Sequence, residues 1–268
     1  MQRLDKTELA RFKSCPVRCP RLNLRIRSLS DYFAVISSAI KTADPFWFRG
    51  HAKFTWSLTA SALRFPTRRE RERALELLTE FKRVAEIKLE RPPHPDDQLM
   101  WVQLARHYGL PTRLLDWTES ATIALFFACP HPEVDGLVFL LNPVDLNRLS
   151  YPKTPRILDG QSDRKIINKY LRLKGGITTR GSCPIAINPV WNSERLMLQR
   201  GVFTIEGSGG GLDQRAVPSL VGIPILRESK PRLLDELQRI GVDEMTIFPE
   251  LEHACRHLVR KAGLGQGE

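Results

Sequence analysis

Trp101-Val102-Gln103-Leu104-Ala105-Arg106-His107-Tyr108-Gly109-Leu110-Pro111-Thr112-Arg113-Leu114-Leu115-Asp116-Trp117-Thr118 interrupts an apolar stretch with charged and hydrogen-bonding side chains, then runs on into the apolar Ala121–Ala128. Burying polar groups is costly unless each finds a partner. A segment that only built a core would not need His107, Tyr108, Thr112, Arg113, Asp116, Trp117 and Thr118 so close together. The economical reading is a pre-organised polar pocket roofed by aromatic rings.

Working outward, the segment opens with a helix over 97–108 that stops at the Gly109-Leu110-Pro111 turn. Thr118 or Ser120 caps a further helix over 121–127, apolar all round and therefore buried. Upstream, 67–91 is an amphipathic helix with Ala74, Leu77, Leu78, Phe81, Val84, Ala85 and Leu89 in one stripe. Its alternating Arg and Glu form solvent-facing i,i+4 pairs, and Pro92, Pro93 and Pro95 end it. A helix over 29–41 lies behind caps at Ser28 or Ser30, and 46–49 is a short aromatic strand ending at Gly50. Trp56 to Leu63 reads as a loop or short strand. Downstream, strands are expected over 136–142, 185–187, 202–205 and 221–225, and helices over 233–240 and 249–262. Residues 143–183 read as irregular, with a short helix over 164–173 inside them. The glycine run 207–211 lacks the Lys-Ser/Thr of a phosphate-cradling loop, so a flexible surface loop is expected. The fold class is α+β: one domain over 29–268, with short mixed strands in a small sheet or split sheets flanked by several helices. A basic N-terminal arm, 1–28, precedes it.

The 268 residues carry a formal net charge of +11 and are 42% hydrophobic, ordinary for a soluble globular protein. Residues 1–30 hold eight of the basic side chains against Asp5 and Glu8, a local +6. Two readings of that arm stand: a solvated, partly disordered leader, or a salt-dependent contact with nucleic acid or another polyanion. No apolar run approaches the ~18 residues of a membrane span, and no secretory signal is visible, so a cytoplasmic, non-membrane protein is expected. Cys15 and Cys19 lack a second Cys/His pair at zinc-site spacing, so no metal is expected. No nucleophilic triad is apparent either: Ser182 and Ser193 lack a base at motif spacing, and Cys129 is flanked by apolar residues.

Phe48-Arg49-Gly50, the run 107–118, then Arg195, Gln199, Gly201 and Phe203, and finally Ile247-Phe248-Pro249-Glu250-Leu251 stand in the order that characterises FRG-domain proteins. The chain resembles that family over roughly residues 29–258. A more distant similarity links the same pieces to ADP-ribosyltransferase domains. That resemblance implies NAD as substrate, Arg49 holding its ribose and phosphate, and Asp116-Trp117-Thr118 with 121–128 framing the nicotinamide. It also implies that 194–203 carries the residue acting at the ribose hydroxyl. The catalytic acid position of the pattern falls on Arg195, with Glu194 one residue early and Gln199 the other candidate. Which of the three faces the site stays open.

From the residues themselves, Arg49 is either a fork for a phosphate or a structural partner of Asp116. On the transferase resemblance, Arg113 would join it on a pyrophosphate, Tyr108 or Trp117 would stack on a ring, and Thr112 and Thr118 would contact the ligand. His107 would accept a proton or be a hydrogen-bonded structural residue. Trp101 and Gln103 read as support. The leading function is a NAD-dependent ADP-ribosyltransferase-like enzyme, a bacterial toxin or antiviral effector acting on nucleic acid or protein, with a neutralising protein partner. Its rivals are a non-catalytic nucleic-acid or nucleotide-binding module and a protein-interaction domain.

Overall fold

The computed structural model of the protein describes residues 3–15, 17–19, 24–40, 44–171, 183–207, 211–215 and 217–264. In chain order these residues form α1 (Lys6–Arg11), α2 (Leu29–Ala39), β1 (Trp47–His51), α3 (Arg68–Lys88), α4 (Gln98–His107), β2 (Leu114–Thr118), α5 (Ala121–Ala128) and β3 (Gly136–Leu141). They continue as α6 (Pro143–Ser150), β4 (Leu158–Asp159), α7 (Arg164–Leu171), β5 (Ile185–Asn188), α8 (Glu194–Leu198), β6 (Gly201–Ile205), β7 (Val221–Ile225), α9 (Lys230–Arg239), α10 (Glu244–Ile247) and α11 (Leu251–Lys261). Local chemistry sets many of the helix starts. Thr67 and Glu70 form a reciprocal capping box on α3, Asp97 accepts from the Met100 N–H on α4, and Ser120 caps α5.

The strands form a single mixed sheet in the order β4-β5-β6-β2-β1-β3-β7, parallel at β4–β5 and antiparallel elsewhere. Side chains alternate between its two faces. One face carries Phe48, Val138, Leu140, Ile223 and Ile225 under α2, α5 and α9, and Leu114, Ile185, Ile187, Phe203 and Ile205 under α3, α4 and α7. The other face carries Trp47, Leu115, Trp117, Phe139 and Ala186 against Leu146 of α6 and the segments around Leu58, Leu212 and Val217. The first face is thus roofed by two helix groups with a furrow between them.

The sheet is weakest beneath that furrow. β1 and β3 run paired from Trp47↔Leu141 to His51↔Leu137, and β2 and β6 from Leu114↔Ile205 to Thr118↔Gly201, but β1 and β2 share only the position Phe48↔Thr118. The two strands splay apart beyond it. Gly50 lets α5 lie directly on β1: a Cβ there would sit 1.9 Å from the Ala124 carbonyl oxygen and 2.7 Å from the Ala128 nitrogen. Hence the Gly of the Phe-Arg-Gly tripeptide answers to helix packing, and the Arg beside it to the splay.

Several expectations are corrected. Leu114–Thr118, for which no element is expected, is a strand, and 143–163 contains a helix and a short strand rather than irregular chain, ahead of the expected helix that begins at Arg164. α6 escapes notice because its helical signal is a cap, with Asn142 accepting from Val144 and Asp145 and Pro143 at the first position. The start of the 194–203 segment, ahead of the strand expected over 202–205, is the helix α8. On α3, Leu77 and Val84 are exposed, so its buried stripe is narrower than the pattern suggests. The N-terminal segment is docked: Leu4 and Phe12 are buried with Leu226, Phe12 packs on the Phe54 ring, and Arg11 pairs with Asp135 and Glu228. Arg25 pairs with Glu8, so two of the segment's cations are neutralised internally. Positions 208–210 of the glycine run, 172–173 of the expected helix over 164–173, and Ser182 lie outside the described residues.

Candidate functional site

The centre of the furrow is built by β2. Leu115 and Trp117 point into the far core, where the indole N–H donates to Thr204 Oγ1 at 3.0 Å. Alternation then forces Asp116 and Thr118 onto the helix-covered face, into the gap between α4 and α5. Thr118 Oγ1 donates to the Gln199 carbonyl at 2.7 Å and accepts from the Ser120 N–H at 3.0 Å, which fastens β2, α8 and the α5 start together.

Arg49 starts on the opposite face, beside Trp47 and His51, and its guanidinium crosses through the β1–β2 splay. Its Nη1 donates to the Asp116 carbonyl and lies 3.7 Å from that residue's carboxylate, while its Nε donates to His51 Nε2 at 2.9 Å. An imidazole nitrogen that accepts must be unprotonated, so His51 carries its proton on Nδ1 and donates to the Trp56 carbonyl at 3.1 Å. Burial, reinforced by the Arg49 charge, pushes the His51 imidazolium down to about 2, so the ring is neutral. Burial also lowers Arg49 to about 10 against the opposing pull of Asp116, which still leaves it charged at neutral pH.

From α4, Arg106 grips Asp116 with both arms of its fork and donates to Ser61 Oγ at 3.1 Å. Burial pushes the Asp116 carboxyl up, but the charges of Arg106 and Arg49 outweigh it and hold the group below the usual carboxylate range. The carboxylate is recessed yet open to solvent through the cleft, with 42% of its side chain exposed. From α8, Arg195 and Gln199 sit four positions apart on one helix face and both line the cleft. Arg195 lies over the Phe248 ring at 4.7 Å and pairs with Glu250 at 3.4 Å, and Gln199 Nε2 donates to the Ile247 carbonyl at 3.3 Å. The closing segment Ile247–Glu250 therefore buttresses α8 from behind.

Together these elements enclose a cleft of about 520 Å³, walled by Phe48, Ile123, Phe127, Leu196 and Phe203 on its apolar side. Two guanidinium groups, Arg49 and Arg106, meet one carboxylate there, and Arg195 lines the same cleft with Glu250 as its partner, so the cleft carries a positive excess beside apolar walls. That combination receives an anion attached to a ring.

Of the residues singled out from sequence, Arg49, His107, Asp116, Trp117, Thr118 and Gln199 border this one cleft, but the Trp117 indole is turned into the far core and is not placed to stack on a ligand in the cleft. Four do not border it. Tyr108 is 64% exposed, its ring edged against His107 and Phe81 outside the furrow. Thr112 is buried at the entrance to β2, its hydroxyl accepting from the Leu114 N–H. Arg113 donates to the Tyr170 and Glu206 carbonyls and clamps the far end of β6. Glu194 precedes Arg195 by about 100° of helical turn and is not among the lining residues.

Arg106 and Gln103 were missed as site residues. Their spacing with His107 marked one polar helix face, but such a face is normally solvated. Gln103 is 4% exposed, and its amide N–H donates to the Val190 carbonyl at 2.8 Å. Its own carbonyl oxygen has no partner. Among the described residues no group of three or more His, Cys, Asp or Glu could hold a metal ion, and no helix is long and apolar enough to cross a membrane.

No curated protein and no solved structure matches the chain. Residues 44–135 match the FRG domain family. That segment supplies β1 with Arg49, α4 with Arg106 and His107, β2 with Asp116, and the α5 wall, whereas α8 and Ile247–Glu250 complete the cleft from beyond it. Over residues 44–135 the chain carries an FRG domain.

Proposed function

We propose that the cleft binds a dinucleotide of the NAD class and catalyses ADP-ribosyl transfer to a nucleic-acid or protein acceptor. The observation that carries this reading is the Arg49 guanidinium threaded through the β1–β2 splay to lie with Arg106 around an ionised Asp116, in a cleft that Arg195 also lines. Arg49 and Arg195 neutralise the pyrophosphate, and the walls around Phe127 and Phe203 take a ring. Breaking the nicotinamide–ribose bond leaves positive character at the ribose, which the Asp116 carboxylate stabilises at short range in a recessed site. Nicotinamide departs as a neutral molecule. The acceptor's nucleophile then forms the new bond to the ribose carbon and gives up its proton, for which His107 is the base lining the cleft. An effector or toxin role with a neutralising protein partner is the biological setting this activity would have.

A second reading, nucleotide binding without reaction, is favoured by one specific feature. Asp116 is held by both arms of Arg106, and Gln199 is tied to the Ile247 carbonyl, so neither is unengaged. Incubation of the pure protein with NAD labelled in the adenosine moiety, in a lysate with and without nuclease or protease, separates the two readings. Transfer predicts free nicotinamide and a labelled macromolecule, both lost in Asp116→Asn. Saturable NAD binding with no nicotinamide release selects the second reading, and absence of NAD binding removes both.

A further inference from the structure

A second chemically distinctive place lies far along the chain from the cleft residues, where the N-terminal segment meets the outer edge of the sheet. After α1, the chain runs along β7, and the Gly222 N–H donates to the Arg18 carbonyl at 2.9 Å. The sulfurs of Cys15 and Cys19 are 3.1 Å apart. Both side chains are half-buried against the core that contains Leu220 and Val217. The pocket for Cys19 is shaped by Gly222: a Cβ there would stand 3.0 Å from the Cys19 sulfur and 2.9 Å from Val17. The two thiols are therefore held together by the docking of the whole segment and not merely by their spacing. A disulfide bond is about 2.05 Å long, so an approach of roughly 1 Å would join them.

We propose that Cys15 and Cys19 form a hydroperoxide-responsive thiol pair, in which Cys15 is the attacking sulfur and Cys19 the resolving one. The Cys15 thiolate attacks the terminal peroxide oxygen and the O–O bond breaks. The leaving hydroxide or alkoxide takes up the proton that Cys15 released, and Cys15 becomes a sulfenic acid. The Cys19 sulfur then attacks the Cys15 sulfur, the S–O bond breaks, and the departing oxygen leaves as water with the Cys19 proton. Two thiols lose two electrons and the peroxide gains them, yielding one disulfide, one water, and a second water or an alcohol. The order of roles follows from position: the Cys19 sulfur is packed against Gly222 and reaches the Val17 carbonyl as an S–H donor at 3.5 Å, which keeps it a thiol. The contact between the two sulfurs acts in the same sense, lowering the Cys15 thiol below its ordinary value and, with burial, raising Cys19. The ring so formed closes where the segment bonds to β7. This inference is independent of what occupies the cleft.

Intact-mass measurement on the reduced full chain treated with hydrogen peroxide tests it. The expected product has lost two hydrogens and carries a Cys15–Cys19 linkage on peptide mapping. Cys19→Ser should accumulate a sulfenic acid at Cys15 that dimedone traps, and Cys15→Ser should slow oxidation at Cys19 by about tenfold or more. Oxidation that reaches Cys183 or Cys255 first, a disulfide between two chains, or equal peroxide reactivity of Cys15 and Cys19 in the single variants would each overturn the proposal. So would a wild-type chain that loses no hydrogens.

Discussion

Replacing Glu206 by Gln should make the protein more stable at alkaline pH and leave it unchanged at pH 4. Glu206 follows β6 on the same side of the sheet as Trp47 and Arg49 and is 1% exposed. One carboxyl oxygen accepts from the Ala60 N–H at 2.7 Å, and the other is buried without a partner, as is Asp213 Oδ1. Burial raises the carboxyl from 4.5 to about 7; the Ala60 hydrogen bond opposes this, and the negative charge of Asp213 adds to it. Below pH 4.5 the group is protonated both folded and unfolded, and pH has no leverage through it. Between 4.5 and 7 the native state holds a proton that the unfolded chain has lost, so stability falls as pH rises. Above 7 the loss is complete. At about 1.4 kcal/mol per pH unit, the full decline is about 3 kcal/mol, comparable with a sizeable share of a domain's stability. Glutamine keeps an acceptor for Ala60 and cannot ionise. Urea melts of wild type and Glu206→Gln at pH 4, 5, 6, 7 and 8, at one ionic strength, should show curves that coincide at pH 4 and separate by about 3 kcal/mol at pH 8. Parallel curves across that range would refute the assignment of Glu206 as a native-state acid.

Other substitutions probe the packing and the cleft. Gly50→Ala places a methyl group against the α5 backbone, not against a side chain that can move, and should cost about 3 kcal/mol or more, read as a large fall in Tm or loss of soluble protein. Lys230 is buried and its ammonium donates to the carbonyls of Ala52, Pro130 and His131, so Lys230→Met strands three acceptors and should destabilise by about 3 kcal/mol in chemical denaturation. Arg49→Lys keeps a charge but cannot reach Asp116 and His51 together. Calorimetry should find NAD binding weakened by about tenfold or more, with far-ultraviolet circular dichroism unchanged. Asp116→Asn removes the carboxylate between two guanidinium groups and should abolish nicotinamide release. Its stability deficit, present at neutral pH, should vanish as acid protonates the wild-type carboxylate, whose native pKa lies below its ordinary value.

Patterns that repeat along the chain are legible in the order of residues itself. The apolar runs of β3 and α5, the alternating β7 and the periodic α4 each satisfy their burial within a few residues, and local composition announces them. The polar segment 101–118 also declares a pocket, because so many hydrogen-bonding groups inside an apolar stretch require partners. Direction is what it cannot declare. In a strand of five residues, which side chains face the cleft depends on the partner strand, and β2 takes its register from β6, more than eighty residues away. That pairing turns Asp116 and Thr118 into the furrow and places Arg113 behind it.

The same holds for the arginine that gives the tripeptide its interest. Its neighbours place Arg49 on a buried strand, but only the splay between β1 and β2 lets its guanidinium pass from one face of the sheet to the other. Likewise, the helix 194–198 meets the distant segment Ile247–Glu250 through Arg195 and Gln199, which seats that face on the cleft and leaves Glu194 outside the lining. Local sequence thus determined which segments bury apolar surface and which polar groups must be accommodated. Tertiary structure decided where those groups point, because strand parity and helix phase are set by contacts with residues distant in the chain.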